Sequence, residues 1–122
     1  MLPKNQRIRL AQDFTATVRS GARTGRRNVV LYARVRSDEP LGNNRFGFIV
    51  SKAVGNAVNR NLVKRRMRAM AAQFTADAIG LDVVVRALPG AADVEWNELH
   101  QQVRSGLDSV LRKSGAKREK GL

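Results

Sequence analysis

Apolar residues recur along this chain with two different periods. Leu10, Phe14 and Val18 fall four apart, the spacing of one helix face, and Gly21 closes the run. Over residues 28–36 the period becomes two. Val29, Leu31, Ala33 and Val35 then share one face of a strand, and Asn28, Val30, Tyr32, Arg34 and Arg36 the other. A basic link at 23–27, with room for a short strand, joins these elements. Residues 37–44, with Pro40, Gly42 and two asparagines, predict a hairpin loop. Residues 45–52 predict a second long strand, with Phe46, Phe48 and Val50 toward the core. Its other face carries Arg45, Gly47, Ile49 and Ser51; Ile49 is placed to floor a cleft, and Gly47 leaves room for a neighbour or ligand. Gly55-Asn56 breaks this strand, and a helix follows with Val63, Met67, Met70 and Phe74 as its apolar stripe.

Gly80 opens a third long strand at 81–88, with Val83 and Val85 inward and Asp82 and Arg86 opposite, ended by Pro89-Gly90. Asp93 is placed to cap a last helix, with Glu95 and Glu98 favouring the dipole of its first turn. Trp96, Leu99, Val103, Leu107 and Val110 form that helix's core stripe, with His100 beside it in an exposed structural role. Residues 1–8 are polar and basic and predict a loosely ordered start. The expectation is a single α+β domain at 1–113, in the order α-β-β-β-α-β-α, followed by a disordered basic tail at 114–122.

Charge changes this picture more than length does. The 122 residues hold 23 Lys+Arg against 10 Asp+Glu and no cysteine. Disulfides and thiolate metal sites are excluded, which fits a cytoplasmic location. No apolar run approaches the ~20 residues needed to span a bilayer, and the N-terminus lacks the apolar segment of a signal peptide. Residues 1–76 hold 16 Lys+Arg and 3 acids, whereas residues 77–122 hold 7 of each. So lopsided a field calls for a polyanionic partner, either nucleic acid or an acidic membrane. Membrane binding wants a broad apolar helix face, and the Val63 to Phe74 stripe is narrow and claimed by the core.

The positive charge concentrates on the middle helix. No acid occurs between Glu39 and Asp77. Arg60, Asn61, Lys64, Arg65 and Arg68 spread over about 140° of helix, at roughly 100° per residue. Such a face is usually just solvated. A solvated helix, however, usually mixes both signs and gains from Glu–Lys pairs, and this one has no acid at all. On the strand at 28–36, Tyr32 between arginines offers either a base-stacking ring or a cover for the core edge.

Residues able to cut RNA are scarce. Asp38 and Glu39 lie in the Pro/Gly loop, Asp93, Glu95 and Glu98 belong to a helix start, and one histidine cannot form a two-histidine acid–base pair. There is no Cys/His metal spacing, phosphate-binding loop or serine elbow. The residues describe a binder of nucleic acid rather than a catalyst.

The run Ser51-Lys52, Gly55-Asn56-Ala57-Val58, Arg60-Asn61, Lys64-Arg65 and Arg68 resembles the signature helix of the bacterial ribonuclease P protein component. It departs at Ala69, where many members carry an acid, and at Arg66, an additional cation; Val18 stands where many carry a second aromatic. The resemblance covers residues 10–113 and implies a four-stranded, ribosomal-protein-S5-domain-2-like sheet with a left-handed βαβ crossover. Right-handed crossovers are the rule, so the handedness is implied by the resemblance alone.

The resemblance further implies an endoribonuclease holoenzyme in which a catalytic RNA subunit, using Mg2+ bound mainly by RNA, removes the 5′ leader of precursor tRNA. Lys52, Asn56, Arg60, Asn61, Lys64, Arg65 and Arg68 would face that RNA. Phe14 and Tyr32, with neighbouring Arg34, Arg45 and Arg86, would line a cleft for the leader. No metal ligand, membrane or obligate protein partner is implied for the protein. The competing expectation is a structural rRNA-binding protein with no part in cleavage.

Overall fold

A computed structural model describes residues 4–36, 44–74 and 80–114. A 3-10 turn at Lys4–Gln6 leads into helix α1 (Ala11–Ser20), strands β1 (Ala22–Gly25), β2 (Val29–Val35) and β3 (Arg45–Ile49), and helix α2 (Ala57–Ala72). Strand β4 (Leu81–Ala87) and helix α3 (Trp96–Lys113) follow. The strands form one mixed sheet in the order β1-β2-β4-β3. β2 is antiparallel to both β1 and β4, and β3 runs parallel to β4.

The period-two alternation gives the sheet two apolar faces. On one, Val29, Leu31 and Ala33 of β2 join Phe46 and Phe48 of β3 and Leu81, Val83, Val85 and Ala87 of β4. Onto this face pack Val63, Met67, Met70 and Ala71 of α2, with Leu99, Val103, Leu107 and Val110 of α3. Apart from Trp96, both helix stripes expected from spacing therefore pack into the core, and cutting fully buried Leu31 or Leu99 to alanine costs about 2–5 kcal/mol. On the opposite face Val30, Tyr32 and Val84 pack with Ile8 and, more loosely, with Phe14, Val18, Ile49 and Leu88.

Several expectations are corrected. Residues 37–44 do not close a hairpin between the strands they join, because β4 lies between β2 and β3. The Asn44 carboxamide oxygen instead accepts the Leu81 N–H of β4 at 3.1 Å. β4 takes the centre because residues 81–85 are all buried, which suits a strand covered on both faces. The start of the chain is ordered from Lys4: the Ile8 N–H donates to the Phe46 carbonyl at 2.9 Å, and Ile8 is buried. That contact covers the free edge of β3, which would otherwise expose unpaired backbone groups.

β3 ends at Ile49, paired with Arg86, short of the expected residue 52; a 3-10 turn at Lys52–Val54 follows. Asp93 is not the α3 cap; its N–H closes a turn onto the Gly90 carbonyl at 3.0 Å, and Glu95 takes the cap position without a side-chain bond. Trp96 lies outside the core stripe and is exposed. Residues 37–43, including Asp38 and Glu39, and the expected tail beyond Ser114 fall outside the described residues.

Candidate nucleic-acid interface

The basic helix begins at a sharp joint. Gly55 has φ +149°, and a Cβ there would meet the Asn59 side chain at 3.0 Å, so glycine is required. Asn56 then caps α2, its side-chain oxygen accepting the Asn59 N–H at 2.9 Å. Asn56, predicted to face RNA, therefore commits one acceptor to the helix start.

Beyond this cap the predicted fan is intact. Asn61, Arg65 and Arg68 are exposed, and Arg60 and Lys64 are half-buried. None of the five makes an ion pair or side-chain hydrogen bond with a described residue. Arg60 flanks the apolar stripe, and its buried Nε lacks a hydrogen-bond partner. Arg66, outside the fan, is used internally, donating to the Val94 carbonyl at 3.0 Å. Every ion pair among the described residues involves Asp13 or Asp82, neither of them on α2. The helix thus keeps its mutual repulsion of about 0.2–0.5 kcal/mol for each i,i+4 like-charge pair. Lys52, exposed on the turn before α2, adds a cation at the same end.

The sheet face beneath α1 holds two of the other predicted arginines, but engaged differently. Asp82 is fully buried, and Arg45 grips it through two bonds of 2.8 Å. Arg36 donates to it at 2.7 Å and Arg34 at 3.2 Å. Asp13 of α1 accepts from Arg34 at 3.2 Å and Arg45 at 3.3 Å. Burial pushes the Asp82 carboxyl up, but the hydrogen bonds and charges of Arg45 and Arg36 outweigh it and hold the group below the usual carboxylate range. The bond to Asp82 likewise raises Arg45 above the usual guanidinium value. Arg34 and Arg45 are thus held by acids of their own chain.

Sequence reasoning missed this cluster. Asp82 looked like an outward strand residue, and only the register setting Arg34 and Arg45 beside it reveals the contact. Because Asp13 and Asp82 meet through guanidinium groups, the pair repels a divalent cation instead of holding one. No group of three or more His, Cys, Asp or Glu suited to a metal occurs among the described residues.

The same face forms a shallow cleft. The Phe14 ring lies directly on β3, where a Cβ on Gly47 would come within 2.5 Å of it. Gly47 thus leaves room for a neighbour, as expected, and the neighbour is Phe14. Next to it run Gly47, Val84, Tyr32 and Arg23, directly opposite one another across the sheet. Tyr32 is only 6% exposed, packed with Ile8, Val30 and Val84, so its main contacts are core contacts. The next row, Val30, Arg86 and Ile49, has exposed Arg86 at its centre, the one arginine of this face both predicted for RNA and free of the acid cluster. Arg86 and Ile49 close the parallel strands at the end where Lys52 and α2 begin.

His100 sits elsewhere, between Phe74 and Trp96 with ring centroids at 5.9 and 6.2 Å, and its Nε2 pairs with the Gln73 side chain at 3.0 Å. It ties α3 to the end of α2, far in sequence from the basic fan.

No helix of the described residues is long and apolar enough to cross a membrane. The family model for ribonuclease P matches residues 2–111. The chain is 53% identical over 113 residues to the ribonuclease P protein component of Pseudarthrobacter chlorophenolicus, covering 91% of this chain and 81% of that one. It is 50% identical to that of Kocuria rhizophila, covering 93% and 98%. Among solved structures, the Staphylococcus aureus RNase P protein superposes with a TM-score of 0.75 at 27% identity, over 94% of this chain and all of that one. A fold shared with such proteins, a fan of cations without partners among the described residues and relatives of this similarity lead to one conclusion: the chain belongs to the ribonuclease P protein component family.

Proposed function

We propose that the chain acts as the RNA-binding, noncatalytic subunit of ribonuclease P, working in the cytoplasm beside a catalytic RNA that cuts the 5′ leader from precursor tRNA. The observation that supports this most is the face of α2, where Arg60, Asn61, Lys64, Arg65 and Arg68 stand without a partner among the described residues. A fixed array of cations lowers the cost of bringing polynucleotide backbones together. Arginine grips a phosphate through a two-pronged fork, and lysine acts as a point charge. Neutralising those backbones indirectly favours Mg2+ held by the RNA.

The leader is assigned to the cleft beside α1. Phe14 supplies an apolar edge, Val30 and Ile49 a floor, Arg86 a phosphate donor, and the small exposed part of Tyr32 a rim. Arg34 and Arg45 shape this surface from within their acid cluster. No membrane or obligate protein partner is called for. The test is reconstitution at low Mg2+. The protein alone should leave precursor tRNA intact, and should restore cleavage when added to a bacterial ribonuclease P RNA. Cleavage by the highly purified protein alone would overturn the noncatalytic assignment. Binding to ribosomal RNA without stimulation of the ribozyme would instead identify a structural rRNA-binding protein.

A further inference from the structure

Asp13 is the only acid on α1. Its two oxygens reach Arg34 on β2 and Arg45 on β3, strands on opposite sides of β4. One carboxylate therefore spans the central strand from above, while Asp82 holds the same two guanidinium groups from within it. Among the described side chains of α1, Asp13 makes the only hydrogen bonds to the sheet; the Thr17 hydroxyl turns back to the Asp13 carbonyl at 2.8 Å. The apolar contacts of α1 to this face run through Phe14 and Val18. Apolar contacts are non-directional and let a helix slide, whereas an acceptor set between two anchored guanidinium groups fixes a position. The three side chains are only 17–27% exposed, so salt screens them incompletely.

We propose that Asp13 is a positioning residue that clasps α1 across β2 and β3 and so sets where Phe14 stands over the cleft. The link to substrate rests on the leader assignment above; the link to α1 does not. Proton NMR reads the latter directly, because the Phe14 ring over Gly47 must displace the Gly47 α-proton signals. In Asp13→Ala that displacement should fall by at least half. Asp13→Glu, which keeps both oxygens and the charge, should retain it. If the alanine variant does not fold, Asp13→Asn, which keeps the shape and loses the charge, gives the same reading.

In the holoenzyme, Asp13→Ala should raise KM for leader-bearing tRNA about fivefold with kcat unchanged. Glutamate should rescue it, and affinity for ribonuclease P RNA should stay constant. An unaltered Gly47 signal in the charge-free variants would overturn the inference. So would equal weakening of leader-bearing and leaderless tRNA. If the wild-type holoenzyme does not distinguish those two RNAs, the leader assignment fails, and the Gly47 signal still decides the role of Asp13.

Discussion

Replacing Asp82 with asparagine should be among the most destabilising single changes outside the apolar core. The carboxylate is fully buried and accepts from Arg34, Arg36 and Arg45. Asparagine keeps the volume but removes the charge and replaces one acceptor oxygen with a donor facing guanidinium groups. Removing one partner of a buried ion pair costs about 3–5 kcal/mol, because the other charge is left uncompensated. Arg36 is 7% exposed and bears the full effect, whereas Arg34 and Arg45 are about a quarter exposed and keep Asp13. The lower end of the range follows, about 3 kcal/mol, or a fall in Tm of roughly 10 °C for a domain of this size.

Urea unfolding of wild type and Asp82→Asn, followed from neutral to acid pH, measures it. The folded-state pKa of Asp82 is depressed. Its stabilisation is therefore complete above the unfolded carboxylate value of about 3.9 and disappears as pH falls through the lower folded value. The difference between the two proteins should be constant from pH 7 to about 5 and shrink below about 4. A difference under ~1 kcal/mol at pH 7, where breaking a buried pair should cost several times that, would refute the account of the cluster.

Other consequences can be checked singly. Asn56→Ala removes the α2 cap and should cost about 1 kcal/mol in urea unfolding, while Asn56→Asp, an equally good cap, should cost little; equal losses would show that the cap bond is unimportant. Gly47→Ala sets a methyl group against the Phe14 ring and should destabilise by about 1–3 kcal/mol. Pairing it with Phe14→Ala should recover part of that loss, and strict additivity would contradict the contact.

The sequence made the elements legible because each buried face has a clean period. Val63, Met67 and Met70 reached the core as spaced, as did Leu99 and Val103. The exposed fan was legible for a related reason: with no acid from residue 40 to 76, nothing local could pair its cations. What escaped was non-local. Asp82 and Arg45 are 37 residues apart and meet only because β4 inserts between β2 and β3, an order that periodicity does not encode. The same insertion defeated the hairpin at 37–44. Ile8 was lost in a polar context, since its burial depends on the free edge of β3. Tyr32 alternated correctly, but alternation could not show that Ile8 and Val84 would pack with it.

The affinity of the protein for ribonuclease P RNA as a function of salt tests the central claim most directly. Lys52 and the four cations of the α2 fan should give a log–log slope of about −3.5 to −4.5, from ~0.7–0.9 per phosphate contact. Replacing Arg65 and Arg68 with alanine should make that slope shallower by nearly two contacts' worth. A slope near zero, or one unchanged by those replacements, would mean that the cations of α2 face water and not RNA.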